Sequence, residues 1–303
     1  MNPQNIEKGG GKKYNIGGRI MDNGYVTQYD KLKFTDDFIF CKILESNPDL
    51  CKELLEVILG VKIREVKLVS KQREIRLKSN AKGVRFDVYL EDAENTVFNL
   101  EMQTTLKKEL PKRSRYYQGM MDMDLIQKGA KYAELKKSYV IFICTADPFH
   151  LNLPIYHFEN LCMENKDLLL GDEASKVFIN SKGVRENISA DMKAFLDFLE
   201  DREADSHLTK RLQKEVENAR QQEEWRHEYM TLEEKYEEYL EEGREIGKEI
   251  GIEEGKEIGK EIGKEETVLS FLNKGLITIE AAAEELGITP EELQEKMKLK
   301  KNT

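Results

Sequence analysis

The chain has 303 residues, 39% hydrophobic and 35% charged, with a net charge of −10, which is enough for one or two domains with a core but unusually polar for its size. No apolar run reaches the length of a membrane span, the longest, Val140 to Cys144, being strand-sized, and the N-terminus lacks the apolar stretch of a signal peptide. The four cysteines (Cys41, Cys51, Cys144, Cys162) sit in apolar surroundings without CxxC spacing, so they are expected as reduced thiols in a cytoplasmic protein rather than as disulfides or a zinc site.

Residues 1–30 are expected as a flexible leader, and a globular domain is expected over 31–204. In FTDDFIFCKIL, Thr35 is a good N-cap, Asp36 and Asp37 fall in the first turn, and Phe38, Phe40, Ile43 and Leu44 make a helical stripe. A second helix runs from about Asp49 to Leu59 and ends on Gly60. The period then changes. Val66 to Ser70 and Ile75 to Leu77 read as short strands. GVRFDVYLED alternates with Val84, Phe86, Val88 and Leu90 on one face and Arg85, Asp87 and Tyr89 on the other. After the turn-like Asp92 to Asn95, TVFNLEMQ puts Phe98, Leu100 and Met102 opposite Asn99, Glu101 and Gln103, which makes a hairpin.

A helix is expected from about Arg113 to Leu135, followed by a buried strand at 138–144. Shorter strands are expected near Ile155 to Phe158 and Val177 to Ile179, then a helix from Ser189 to Glu200. Residues 205–266 read as a charged helical segment ending in a tetrapeptide repeat, with Gly243, Gly247, Gly251, Gly255, Gly259 and Gly263 at every fourth position. Ile246, Ile250, Ile258 and Ile262 lie beside that glycine stripe. Small residues at this spacing permit close helix approach, so self-association, as a dimer through 205–303, is expected; a solvated spacer is the alternative. Residues 267–303 read as a helical hairpin, with Thr278 as a cap, Gly287 as a stop and Thr289-Pro290 as a new start. Its glutamates in GITPEELQEK favour a docking or oligomer-capping role over DNA reading.

The charge is unevenly divided. Residues 201–303 carry 28 acidic and 17 basic side chains, whereas residues 1–200 carry 30 and 31. Lys62 to Arg85 and Lys107 to Arg115 are locally basic, which is compatible with phosphate binding as well as with a solvated face.

Chemistry concentrates in the hairpin. If partner residues sum to 188, Asp87 lies directly across from Glu101, with Cβ atoms about 4.5–5.5 Å apart. Two such carboxylates repel unless a cation joins them, and hard oxygen ligands suit Mg²⁺ or Mn²⁺. That cation can lower the pKa of a bound water and stabilise charge developing on a phosphate. Gln103 points the same way and could orient the water. The alternative is an ordinary solvated face in which Asp87 and Glu101 pair with Arg85 or Lys82. The four histidines (His150, His157, His207, His227) share no spacing and lie away from the hairpin.

The ordered set FTDDFIFCKIL, RFDVYLED/VFNLEMQ, RSRYYQGMMD and KSYVIFIC resembles the Rpn family of recombination-promoting nucleases and transposases, within the PD-(D/E)xK nuclease superfamily. The resemblance covers about residues 32–200, and the family has Gly-xxx-Gly tails similar to 243–263. It implies an α/β restriction-endonuclease-like core, a mixed four-stranded sheet flanked by helices, and Mg²⁺-dependent DNA cleavage. Carried over by position, Asp87 and Glu101 become metal ligands, and Gln103 replaces the usual lysine, which leaves the general base open. Asp37 matches the family's first-helix acid and would complete the metal shell, or act only as a helix-start carboxylate. The helix after the motif would border the site, which implies phosphate contact by Arg115 and Gln118. The expected function is a metal-dependent DNA endonuclease in recombination, mobile-element activity or phage defence, in a bacterial cytoplasm. A non-catalytic DNA-binding or assembly protein, or an RNA-cleaving toxin, are the other readings.

Overall fold

Two runs of alternating sequence joined by a tight turn build the centre of the sheet. The turn residue Asn95 takes the left-handed conformation, φ 62°, which asparagine tolerates better than most residues. In the computed structural model, residues 15–16, 19–20, 28–71, 74–75 and 83–301 are described. The expected strand beyond Ile75, and the side chains of Lys71, Arg73, Arg76, Lys78 and Lys82 in the basic stretch, lie outside the described residues. Lys62, Arg64, Lys67 and Arg85 are exposed.

The chain divides into two compact units, Met1–Met230 and Thr231–Thr303. The first begins with a two-residue antiparallel ribbon, β1 (Asn15–Ile16) and β2 (Arg19–Ile20). Helices α1 (Asp37–Ser46) and α2 (Pro48–Leu59) follow, and α2 ends on Gly60 at φ 69° as its sequence suggests. Next come β3 (Val66–Lys71), the short pair β4 (Glu74–Ile75) and β5 (Val84–Arg85), and the hairpin β6 (Val88–Asp92) and β7 (Val97–Gln103). Helix α3 (Leu110–Leu125) crosses over to β8 (Ser138–Cys144). β9 (Ile155–Phe158), β10 (Ala174–Asn180), α4 (Ala190–Leu199) and α5 (His207–Gln221) complete the order.

The main sheet has the order β3-β6-β7-β8-β10-β9. β3, β6 and β7 are antiparallel neighbours, β8 runs parallel to β7, and β10 runs parallel to β8 and antiparallel to β9. The mixed α/β core is as expected. The strands expected near Ile155 to Phe158 and Val177 to Ile179 join it as β9 and β10, widening the four-stranded sheet that the resemblance implies to six.

One face of the sheet, with Val88, Leu90, Leu100, Met102, Ile141 and Ile179, packs against α1, α2, α4 and α5. The other, with Tyr89, Val97, Val140, Phe142 and Phe178, packs beneath α3. Helix α5 belongs to this core through Leu208, Leu212, Val216 and Ala219, so packing continues past residue 204. At the other end, Tyr29 is fully buried and donates its hydroxyl to the Ala219 carbonyl at 2.7 Å. Tyr29, near the end of the expected leader, is therefore core.

Two expected helices end differently. α3 stops ten residues early because Ile126 is extended and Gly129 sits at φ 90°, and Pro111 opens its first turn. The charged segment is interrupted at Gln222, also extended, before α6 (Glu223–Asn273). Along α6 the six repeat glycines have no neighbouring atoms where a side chain would grow, and Ile246, Ile250, Ile258 and Ile262 are about half exposed. In the second unit, α7 (Ile279–Leu286) and α8 (Pro290–Lys301) pack Ala282, Ala283 and Leu293 on Val268. Thr278 caps α7, Gly287 ends it at φ 67°, and Thr289 and Glu292 exchange capping bonds at 2.8 and 3.3 Å. Among the described residues, no helix is long and apolar enough to cross a membrane.

Candidate active site

The hairpin has the expected register, with Val88 opposite Leu100 and Leu90 opposite Phe98. One step further, at Asp87, the strand breaks. Phe86 stacks on Tyr89 at 5.1 Å under α3, while Val88 and Leu90 face the other way. The expected common face of Val84, Phe86, Val88 and Leu90 is thus split, since a continuous strand would place residues 86 and 88 on one side. Side chains replace the interrupted ladder. The Asp87 N–H donates to Glu101 Oε1 at 3.2 Å, and the Met102 N–H donates to Asp87 Oδ2 at 3.1 Å. Each carboxylate is therefore held by a backbone donor from the opposite strand.

The solvated-face reading fails at this point. Every residue of β7 is buried, and Glu101 is 0% exposed. The polar side of the hairpin is covered by α3, so Asn99, Glu101 and Gln103 all lie inside. Burial raises the pKa of Glu101 well above its ordinary value; the neighbouring Asp87 charge raises it further and Arg113 opposes. Asp87 is raised chiefly by burial, with the Met102 N–H pulling it down and Asp37 pushing it up.

Asp37 opens α1 at the same end of the sheet. Its own carboxyl is raised by burial and by Asp36, against Arg113, Lys107 and Arg85. One turn along, burial pushes the Cys41 thiol far up, and the charges of Asp87, Glu45, Asp37 and Glu101 add to it. Among the described residues no three His, Cys, Asp or Glu side chains converge as a ready-made metal cluster. The structure brings Asp87 and Glu101 together, with Asp37 within electrostatic reach.

Gln103 points inward, and both ends of its amide are held. Its Nε2 donates to the Thr105 carbonyl at 2.6 Å and to Thr105 Oγ1 at 3.1 Å, while its Oε1 accepts from Arg113 Nη1 at 2.7 Å. Arg113 also donates through Nη2 to Glu101 Oε2 at 2.9 Å and through Nε to the Tyr117 hydroxyl at 2.9 Å. Sequence reading missed this residue as a site member and chose its neighbours instead. A usable signal was present: Pro111 marks the helix start, and Arg113 and Tyr117 are four residues apart on one face.

Neither of the two expected phosphate contacts touches the carboxylates. Arg115 is exposed, about 200° around the helix from Arg113. Gln118 is buried and donates to Ser138 Oγ at 2.7 Å and Asp122 Oδ1 at 3.2 Å. Ser138 begins β8, whereas Glu101 and Gln103 pair with Phe142 and Cys144 near its end. Gln118 thus fixes the helix to the strand away from the carboxylates. The histidines stay outside the site: His157 lies on the edge strand β9 and His207 contacts Glu53 at 2.7 Å.

Residues 34–248 match the family model described as PD-(D/E)XK nuclease family transposase. No curated protein and no solved structure matches the chain. The family match spans both motif strands, the helix between β7 and β8, and the core helices on either side, so the chain belongs to the PD-(D/E)XK nuclease family transposases.

Proposed function

We propose that this family member is a metal-dependent endonuclease that hydrolyses phosphodiester bonds in DNA. The observation that carries the reading is Glu101, fully buried beside Asp87 with its carboxyl raised by that burial. Two neighbouring carboxylates are met by Arg113, 2.9 Å from Glu101, while Arg85 reaches Asp87 only through space. Such a donor set, hard oxygens short of positive charge, fits Mg²⁺ or Mn²⁺. Asp87 and Glu101 would hold the cation, with Asp37 as the nearby carboxylate able to join them. A divalent cation bound there supplies Lewis acidity and neutralises charge on the scissile phosphate.

The chain's own groups do the rest. The Asp87 and Met102 backbone N–H groups keep both carboxylates aimed. Gln103 presents its carbonyl oxygen toward the site because Thr105 anchors its amide nitrogen. It can orient a nucleophile by accepting a hydrogen bond, but it cannot take a proton at neutral pH. Exposed Lys107, Lys108, Lys112 and Arg115 at the start of α3 offer charge for the nucleic-acid backbone. Gln118 has no part in this, being committed to Ser138.

Self-association through residues 205–303, as a dimer, is part of the proposal and is supported by the uncovered glycine and isoleucine stripes of α6. So is a role in recombination or mobile-element activity within a bacterial cytoplasm, which the transposase description of the family supports. The test is plasmid cleavage with Mg²⁺ or Mn²⁺, comparing wild type with Asp87→Ala and Glu101→Ala. Nicking confined to wild type is expected. Cleavage without metal, or full activity in both variants, refutes the proposal. DNA binding without cleavage by any of the proteins points to the non-catalytic reading, and cleavage of RNA alone to the toxin reading.

A further inference from the structure

Gln103 stands where the superfamily motif carries lysine, so the motif strand brings no positive charge to its two carboxylates. The charge arrives from the next helix. Arg113 reaches Glu101 Oε2, Gln103 Oε1 and the Tyr117 hydroxyl at 2.9, 2.7 and 2.9 Å. Its guanidinium lies over the Tyr117 and Phe142 rings at 4.9 and 5.3 Å from their centroids. A planar fork can bridge two acceptors while stacked on an aromatic face; an ammonium cannot. These contacts use three of the five N–H donors of an arginine, and 27% of the side chain remains exposed. The group is thus fixed on its inner edge and open on its outer edge.

We propose that Arg113 is the resident cation of this site: a positioning residue for Glu101 and Gln103 whose open edge binds the phosphodiester anion. The proposal rests on the nuclease reading above and adds to it the source of the charge that Gln103 lacks. It also carries a consequence of opposite signs. Arg113 Nη2 sits on Glu101 Oε2, an oxygen that a divalent cation would also use. Removing Arg113 should therefore strengthen metal binding in the absence of DNA while weakening DNA binding in the absence of metal. A merely structural arginine would not move the two in opposite directions.

The experiment uses full-length protein. Mn²⁺ binding is measured by calorimetry without DNA, and binding of a labelled DNA duplex is measured in EDTA, for wild type, R113Q, R113K and R115Q. For R113Q with a wild-type near-ultraviolet circular dichroism spectrum, Mn²⁺ affinity is expected to rise at least threefold and duplex affinity to fall at least fivefold. R115Q removes the same charge from another face of the helix and is expected to leave Mn²⁺ affinity unchanged. An R113Q protein with unchanged or weaker Mn²⁺ affinity, or with unchanged duplex affinity, overturns the proposal. Should R113Q not fold, R113K decides. It keeps the charge but loses the fork, so duplex binding in EDTA should persist while Mn²⁺-dependent cleavage falls at least tenfold; full cleavage overturns the assignment. If wild type binds no Mn²⁺ at all, the metal reading fails on its own, and the duplex arm still decides Arg113.

Discussion

Replacing Asp87 by asparagine should stabilise the metal-free protein while abolishing its response to metal. The substitution is nearly isosteric, and the asparagine oxygen can still accept the Met102 N–H that now reaches Asp87 Oδ2 at 3.1 Å. What it removes is one of two opposed negative charges. With both carboxyls ionised and about 5 Å apart, an effective dielectric of about 20 gives a repulsion of about 3 kcal/mol, an upper limit wherever Glu101, raised well above its ordinary value, keeps part of its proton. Arg113, 2.9 Å from Glu101, offsets roughly half of that, which leaves a gain of about 1–2 kcal/mol. For a domain of this size the gain corresponds to a rise in Tm of roughly 3–6 °C. Glu101→Gln is a poorer choice, because one of its two contacts, with Arg113 or with the Asp87 N–H, would then face a donor with a donor. The assay is scanning calorimetry at pH 8 in EDTA and again in excess Mg²⁺. Wild type should gain stability from Mg²⁺ and Asp87→Asn should not. An Asp87→Asn protein that melts at or below the wild-type temperature in EDTA would mean the carboxylates are not in conflict, and the argument for a cation site would lose its basis.

Because the folded-state pKa values of both carboxylates are raised, the folded protein holds protons that the unfolded chain has released. Their contribution therefore destabilises the metal-free protein above the raised values and fades as pH falls toward the ordinary carboxylate range. The stability difference between wild type and Asp87→Asn in EDTA should accordingly shrink on acidification, as read by urea denaturation across pH, and a difference independent of pH would contradict the sign. Gly183→Ala should destabilise the first unit by about 1–3 kcal/mol, since an added Cβ would lie 2.4 Å from Pro154 Cα; an unchanged urea midpoint would show that the loop yields freely. Deleting residues 243–303 should lower the oligomer mass measured by light scattering, and a full-length protein that is already monomeric would refute the dimer.

The hairpin was legible because period-2 alternation fixes register as well as strand identity. The sequence placed Asp87 across from Glu101, and the ladder from Val88 to Glu91 runs in the register that leads there. Capping residues were equally readable at Gly60, Thr278 and Gly287, where a single backbone conformation or side-chain acceptor marks the end of a helix. Less could be read where two elements share one pattern. The charged run after residue 205 looks uniform, yet Leu208, Leu212 and Val216 of α5 are core, spaced four apart within a strongly polar sequence. The early end of α3 turned on Gly129 and on the extended Ile126, and neither residue forbids a helix by itself.

The polar face of β7 shows the limit most clearly. Alternation reports that Asn99, Glu101 and Gln103 share a side, and it reports the same thing whether that side meets water or another layer. What separates the two cases is the covering element and whether it brings complementary polar groups. A solvated Glu101 would need no partner. A Glu101 with no exposed surface needs donors, and they come from residues distant in sequence: the Asp87 N–H, fourteen positions back, and Arg113, twelve positions on. The same burial that conceals these side chains from a pattern reading also raises their carboxyls, with Arg113 opposing. The proposed cation site therefore rests on this buried polar face more than on the spacing of Asp87 and Glu101, and it is the feature on which the Asp87→Asn and Arg113→Gln experiments both turn.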